Sequence, residues 1–165
     1  MLFRSGIISK YYNSAGGQLP LVAVKTSEME NVAQATRTAL QAVGQKTGSY
    51  PDMTGIIHYY HTDSNYDEFR AEYNIFYDAG DFFSRYAPAD VYRQWRQALN
   101  RAVVELRTST KWATDKLWSK KYADFTVTAE KMHGVSMFVP QNPAKGNYAK
   151  YNEDIKKMAW YAAVN

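Results

Sequence analysis

Gly134-Val135-Ser136-Met137-Phe138-Val139-Pro140 is the stretch whose reading decides the fold. Val135, Met137 and Val139 alternate with Ser136 and Phe138, the period of two that gives a strand one dry face and one wetter face. Pro140 has no N–H to give to a ladder and ends the strand. After it come a short loop and one apolar-periodic segment. There Asn147 is placed to cap a helix running to Tyr161, with Tyr148, Tyr151, Ile155, Met158 and Ala162 on its buried face. Before it, Phe125-Thr126-Val127-Thr128-Ala129 also alternates, so Met132-His133-Gly134 reads as the turn of a hairpin into the 134–140 strand.

Towards the N-terminus the pattern turns helical. Leu2, Phe3, Ile7, Ile8 and Tyr11 share one face of a first helix, stopped by Ser14-Ala15-Gly16-Gly17. Leu19 to Val24 is almost continuously apolar and is expected to be a strand buried on both faces. Ser27 with Glu30 has capping-box spacing and predicts a helix from Glu28 to about Gln45. Its buried face is Met29, Val32, Ala33, Thr36, Ala39, Leu40 and Val43.

Gly44 to Asn65 reads as a long connection, with Ile56-Ile57-His58-Tyr59-Tyr60 open between strand and helical turn. Phe69, Tyr73, Phe76, Gly80 and Phe83 then predict a helix from Asp67 to about Arg85, with Gly80 permitting close approach of a neighbour. Pro88 and Asp90 open the next helix. Its stripe is Val91, Trp95, Leu99, Ala102, Val103 and Leu106, and the short link between the two suggests an antiparallel hairpin. Together these predict an α/β class, or α+β for the isolated chain, as a single domain over residues 1–165.

Composition narrows the chemistry. The chain has 165 residues and no cysteine, which excludes disulfides, thiolate nucleophiles and zinc–thiolate sites from this sequence. Its net charge of +4 comes from 20 basic residues scattered among 16 acids, an ordinary solvated surface with no nucleic-acid footprint. Met1 to Lys10 is too short and too interrupted for a signal peptide, and no apolar run reaches membrane length. Any export signal is therefore expected upstream. No G-x-S-x-G elbow, G-x-G-x-x-G or P-loop pattern occurs, and no cofactor is expected.

Several residues remain as candidates. His58 and His61, with Asp63 and Asp67, have the spacing of a weak metal cluster but lack a third ligand at a recognised distance, so they read as loop histidines. His133 reads as a turn or surface residue. Glu153-Asp154 and Asp78 with Asp81 are the paired carboxylates, the first solvated on a polar helix face. Trp112, Trp118 and Tyr122, interleaved with lysines, form a candidate binding surface for sugar rings or bases, or else pack a loop onto the helical hairpin.

Three stretches, in order, resemble the C-terminal half of clostripain-like cysteine peptidases. They are Leu21 to Leu40, with its strand and Met29-Glu30-Asn31-Val32-Ala33 helix; Phe76-Tyr77-Asp78-Ala79-Gly80-Asp81-Phe82 with Leu99-Asn100-Arg101-Ala102-Val103-Val104; and Gly134 to Pro140 with Tyr148 to Tyr161. The resemblance implies a caspase-like sheet with a mainly helical C-terminal region beside it. It also implies cleavage after Arg or Lys by a secreted or periplasmic enzyme, and a catalytic half as partner. The family's nucleophile lies in an Asp-Ala-Cys type motif and its base in a His-Gly pair of the preceding half, and neither segment is present. His133-Gly134 repeats that dipeptide at the other end of the fold, so no catalytic residue is carried over. A secreted aromatic-rich module for glycan or protein recognition is the alternative.

Overall fold

The computed structural model describes residues 21–47, 50–53, 56–57, 76–107 and 132–165. Strand β1 (Leu21–Val24) leads through a 3-10 turn (Thr26–Glu28) into helix α1 (Met29–Thr47). Strand β2 (Phe76–Asp78), helices α2 (Ala79–Tyr86) and α3 (Ala89–Ala102) and strand β3 (Val103–Arg107) follow without a break wider than two residues. Strand β4 (Ser136–Phe138), helix α4 (Tyr148–Asp154), a second 3-10 turn (Ile155–Lys157) and helix α5 (Ala159–Val164) complete the described elements. Among them the strands form two antiparallel pairs, β1 with β3 and β2 with β4. The mixed helix-and-strand class expected of the sequence is the one observed.

The 134–140 stretch behaves as its alternation requires. Ser136 is exposed, Met137 and Val139 are buried, and Phe138 is half-buried. Its described partner is β2, with Phe76 opposite Phe138 and Asp78 opposite Ser136, and residues 125–129 of the expected hairpin lie outside the described residues. Gly134 has φ +78°, and a Cβ there would stand 2.6 Å from Leu106 Cδ1, so both conformation and space require glycine.

The expected helix over 67–85 starts late. Residues 67–75 lie outside the described set, and Phe76–Asp78 is extended instead of helical. Asp78 sets the boundary: it adopts an extended conformation and its side chain accepts the Asp81 N–H, the geometry of an N-cap. The next helix also ends earlier than its stripe suggested. Val103 and Leu106 belong to β3, because the β-branched Val103-Val104 pair favours a ladder with β1. The Ala102 carbonyl at the helix end accepts the Lys25 N–H at 2.8 Å.

The face expected for α1 is observed, with Val32, Ala33, Thr36, Ala39 and Val43 buried and Met29 and Leu40 half-buried. The capping box is not what starts it. Ser27 lies inside the 3-10 turn, capped at Lys25 without a side-chain bond, while Glu28 accepts from Asn31 Nδ2. Strand β1 departs from expectation in burial, with Val22 and Val24 38% and 37% exposed. A two-stranded ladder covers one edge and cannot cover both faces.

The final helix is broken in three. Asn147 occupies the cap position without a side-chain bond, and Met158 is extended and 51% exposed between the second 3-10 turn and α5. The Glu153–Lys156 and Asp154–Lys157 pairs, each three residues apart, suit the eclipsed i,i+3 geometry of a 3-10 turn. Val164 is the buried residue of α5, and Arg37 of α1 donates to the Ala163 carbonyl at 2.8 Å.

The core lies where α1, α2 and α3 meet the β2–β4 pair. Trp95 is enclosed, its ring 5.0 Å from that of Phe83, and its Nε1–H donates to Thr36 Oγ1 at 3.0 Å. A smaller cluster joins Ile57 and Met132 under Leu106. Gly80 faces the ring of His133 so closely that a Cβ would come within 1.9 Å of it. Gly80→Ala is therefore expected to lower stability by about 3 kcal/mol. Gly44→Ala, where a Cβ would meet nothing within 4 Å, should raise it by about 0.5–1 kcal/mol. Urea unfolding midpoints of the two variants check the contrast.

Candidate functional site

The densest polar array among the described residues centres on Asp78, at the junction of β2 and α2, where neither element leaves it any exposed surface. Each of its oxygens is used. Oδ1 accepts the Asp81 N–H at 2.8 Å and lies 3.0 Å from His133 Nδ1, and Oδ2 accepts the His133 backbone N–H at 2.8 Å. A buried carboxyl group survives only when its lone pairs are met in this way. In the neutral imidazole, an Nδ1–H given to the carboxylate leaves Nε2 to accept the Tyr92 hydroxyl at 2.9 Å.

The resulting order, carboxylate to imidazole to hydroxyl, is that of a hydrolase triad with a phenol in place of the nucleophile. The surroundings argue for structure. Burial is the main influence on the Tyr92 phenol and pushes its pKa upward; Asp78 and Asp81 add to the rise and Arg96 opposes it. A phenol held protonated is a poor nucleophile. The imidazole, 4% exposed, is walled by Gly80, Trp95 and Tyr92. The array thus ties β2, α2, α3 and the segment before β4 into one unit.

Asp81 continues the network outward, its Oδ2 accepting the Ile57 N–H at 2.7 Å, while the Asp78 N–H donates to the Ile57 carbonyl at the same distance. The Asp78/Asp81 pair is therefore a set of backbone clamps and not an acid/base couple. His133, expected at a surface turn, is buried because Gly80 makes room for its ring. Part of the signal was present in the chain: an Asp three residues before another Asp, between Phe76-Tyr77 and Phe82-Phe83, places a helix cap among apolar residues. Which imidazole would reach it is a matter of tertiary contact.

The other candidates separate. Glu153 and Asp154 are exposed and paired with Lys156 and Lys157, and the hydrogen bond from Lys157 holds the Asp154 carboxyl below its usual range. Trp112, Trp118, Tyr122, His58 and His61 lie outside the described residues. No group of three or more potential metal ligands occurs among the described residues, and no helix there is long and apolar enough to cross a membrane. An apolar cleft of about 400 Å3 opens between α1, the β2–β4 pair and α5, lined by Leu40, Phe76, Phe138, Met158, Trp160 and Val164 among others.

No protein-family model matches the sequence, and no curated protein matches it. Solved structures do. The inactive zymogen of a C11 protease from Parabacteroides distasonis is 23% identical with a TM-score of 0.66, over 94% of this chain and 40% of that one. A clostripain from Bacteroides thetaiotaomicron in complex with a peptide inhibitor is 18% identical with a TM-score of 0.58, over 89% of this chain and 55% of that one. A secreted C11 cysteine protease from the same organism, in complex with an irreversible peptide inhibitor, is 19% identical with a TM-score of 0.56, over 90% and 36% respectively. The fold is that of part of a C11 cysteine protease. The clostripain-like resemblance read from the sequence holds at the level of fold, and the chain spans between 36% and 55% of these C11 chains.

Within this C11 fold the Asp78 array is expected to be a stability element. Asp78→Ala removes the acceptor of three N–H groups and should cost about 3–5 kcal/mol, against about 1 kcal/mol for Tyr92→Phe. Chemical denaturation of the two variants measures the difference. A further expectation concerns alkaline pH. Burial, aided by Tyr148, raises the Tyr77 phenol above its ordinary 10.0. The folded chain then holds that proton more tightly than the unfolded chain does. This contribution is complete below pH 10.0 and is lost as pH rises beyond it, by at most about 1.4 kcal/mol per pH unit. Tyr77→Phe should flatten the alkaline limb of a stability-versus-pH curve.

Proposed function

We infer that this chain is the non-catalytic C-terminal portion of a clostripain-type cysteine endopeptidase, supporting and completing the sheet of a catalytic half. The observation that carries the reading is the pairing of two facts. The chain is accounted for almost entirely by C11 protease structures of which it fills about half or less, and it contains no cysteine to act as their nucleophile. Strand β1 supports it as well, since apolar residues suited to burial on both faces stand exposed.

In this reading the complete enzyme cleaves after Arg or Lys, outside the cytoplasm. Both nucleophile and specificity-determining acid are supplied by the catalytic half, from the same precursor or a separate chain. The Asp78–His133–Tyr92 array keeps the supporting portion rigid and takes no part in bond cleavage.

The test is affinity purification of the tagged chain from its producing cells under native conditions, followed by mass spectrometry and assay on Arg and Lys amide substrates. The expected species contains a polypeptide with the Cys and His of a C11 centre, covalently continuous or tightly bound. Its amidase activity should vanish on thiol alkylation. Recovery of a lone 18.9 kDa chain overturns the reading. A blue shift of its tryptophan fluorescence with glycans would then favour a binding module built on Trp112, Trp118 and Tyr122.

A further inference from the structure

One face of the β1–β3 pair is apolar along its length but covered along only part of it. Val22 stands opposite Leu106, and Val104 is two residues from Leu106, which places Val22, Val104 and Leu106 on one face, with Val24 next to them at the irregular end of the ladder. At one end Leu106 packs on buried Ile57 and Met132, and Gly134 closes against Leu106 and Val22. At the other end the cover stops: Val104 is 53% exposed, with Val22 and Val24 more than a third exposed. The strip therefore carries a buried cluster outward into solvent.

The register adds a local feature. The ladder is irregular between Ala23 and Val24, and Val24 stands opposite Val103, so two β-branched residues, Val103 and Val104, meet the end of β1. Bulges of this kind bend a strand and redirect its side chains. The rim is basic. Lys25 is exposed, and the side chains of Arg101 and Arg107 are more exposed than those of their partners Glu28 and Glu105, so the charge offered to a neighbour is positive.

We propose that the strip of Val22, Val24 and Val104, rimmed by Lys25, Arg101 and Arg107, is the surface that receives the catalytic half. This rests on the reading of the chain as a supporting portion. The occupant is a protein surface of matching chemistry: apolar and rich in β-branched residues at its centre, with carboxylates at its edge. Two observations select it over a small ligand or a second copy. The C11 structures compared above have between 45% and 64% of their own length beyond it, and the strip runs on from a cluster already buried, so a covering element would extend an existing core. A second copy would bring basic rim against basic rim.

The experiment uses the species recovered from producing cells, with the tagged chain carrying Val104→Asp or, at the exposed edge of the apolar cleft, Met158→Asp. Where the catalytic half is a separate chain, Val104→Asp should weaken its retention by about 10- to 100-fold, the value of one buried apolar side chain, and Met158→Asp should leave it intact; where the two are continuous, protection of a thiol at 104 carries the test. Because the chain has no cysteine, Val104→Cys places a unique thiol on the strip. Maleimide should label it at least about tenfold more slowly in the assembly than in the lone chain, which reads coverage without disturbing charge. Circular dichroism of the isolated variants verifies that each is folded. Retention by Val104→Asp with an unprotected thiol at 104 overturns this surface while the supporting role stands, as does selective loss with Met158→Asp. Absence of any accompanying catalytic chain with the unsubstituted protein overturns the supporting role itself, and the surface with it.

Discussion

A carboxyl group removed completely from water must be met by donors on every side, and the fold around Asp78 is arranged to satisfy that demand. The residue ends a strand, begins a helix and accepts the main-chain and ring N–H groups of His133. Each contact restricts a different element: the cap fixes where α2 starts, and the paired bonds to His133 fix how the chain enters β4. The imidazole reaches this position only because Gly80 carries no side chain. Remove the carboxylate and four segments lose a common point of attachment, while packing of Trp95 against Phe83 and Thr36 still holds α1, α2 and α3 together.

The division between clamp and core clarifies what kind of site this is. Catalytic arrays keep one reactive group open to substrate, whereas here the carboxylate and the imidazole are both buried and the half-buried group that ends the array is a phenol held protonated. An array of this kind ties segments of the fold together. The apolar strip on β1 and β3 is the surface whose composition most clearly exceeds what a solvated strand needs.

Where local chemistry alone determined structure, the sequence was readable. The buried face of α1 follows from spacing by three and four, and the alternation around Met137 follows from a period of two. The errors fell where a tertiary partner overruled local pattern. Phe76, Gly80 and Phe83 have helical spacing, yet Phe76–Asp78 pairs with β4. Val103 and Leu106 continue the stripe of α3, yet β1 draws them into a ladder. The burial of His133 depended on a carboxylate 55 residues away, a distance no periodicity spans. Strand β1 was the opposite case: its composition predicted burial on both faces, and the cover for one of them is not supplied by the described chain.

The spacing of these contacts also orders events during folding. The cap between Asp78 and the Asp81 N–H spans three residues and can form as soon as α2 does, but the bonds to His133 close a loop of 55 residues. Closure over such a span carries an entropic cost before any contact repays it, and topologies dominated by long closures fold slowly. On a ribosome the half-satisfied carboxylate therefore emerges first and waits in water, and its transfer into the interior becomes possible only once His133 has been synthesised. The residue on which the mature structure turns completes its contacts only through a long-range closure.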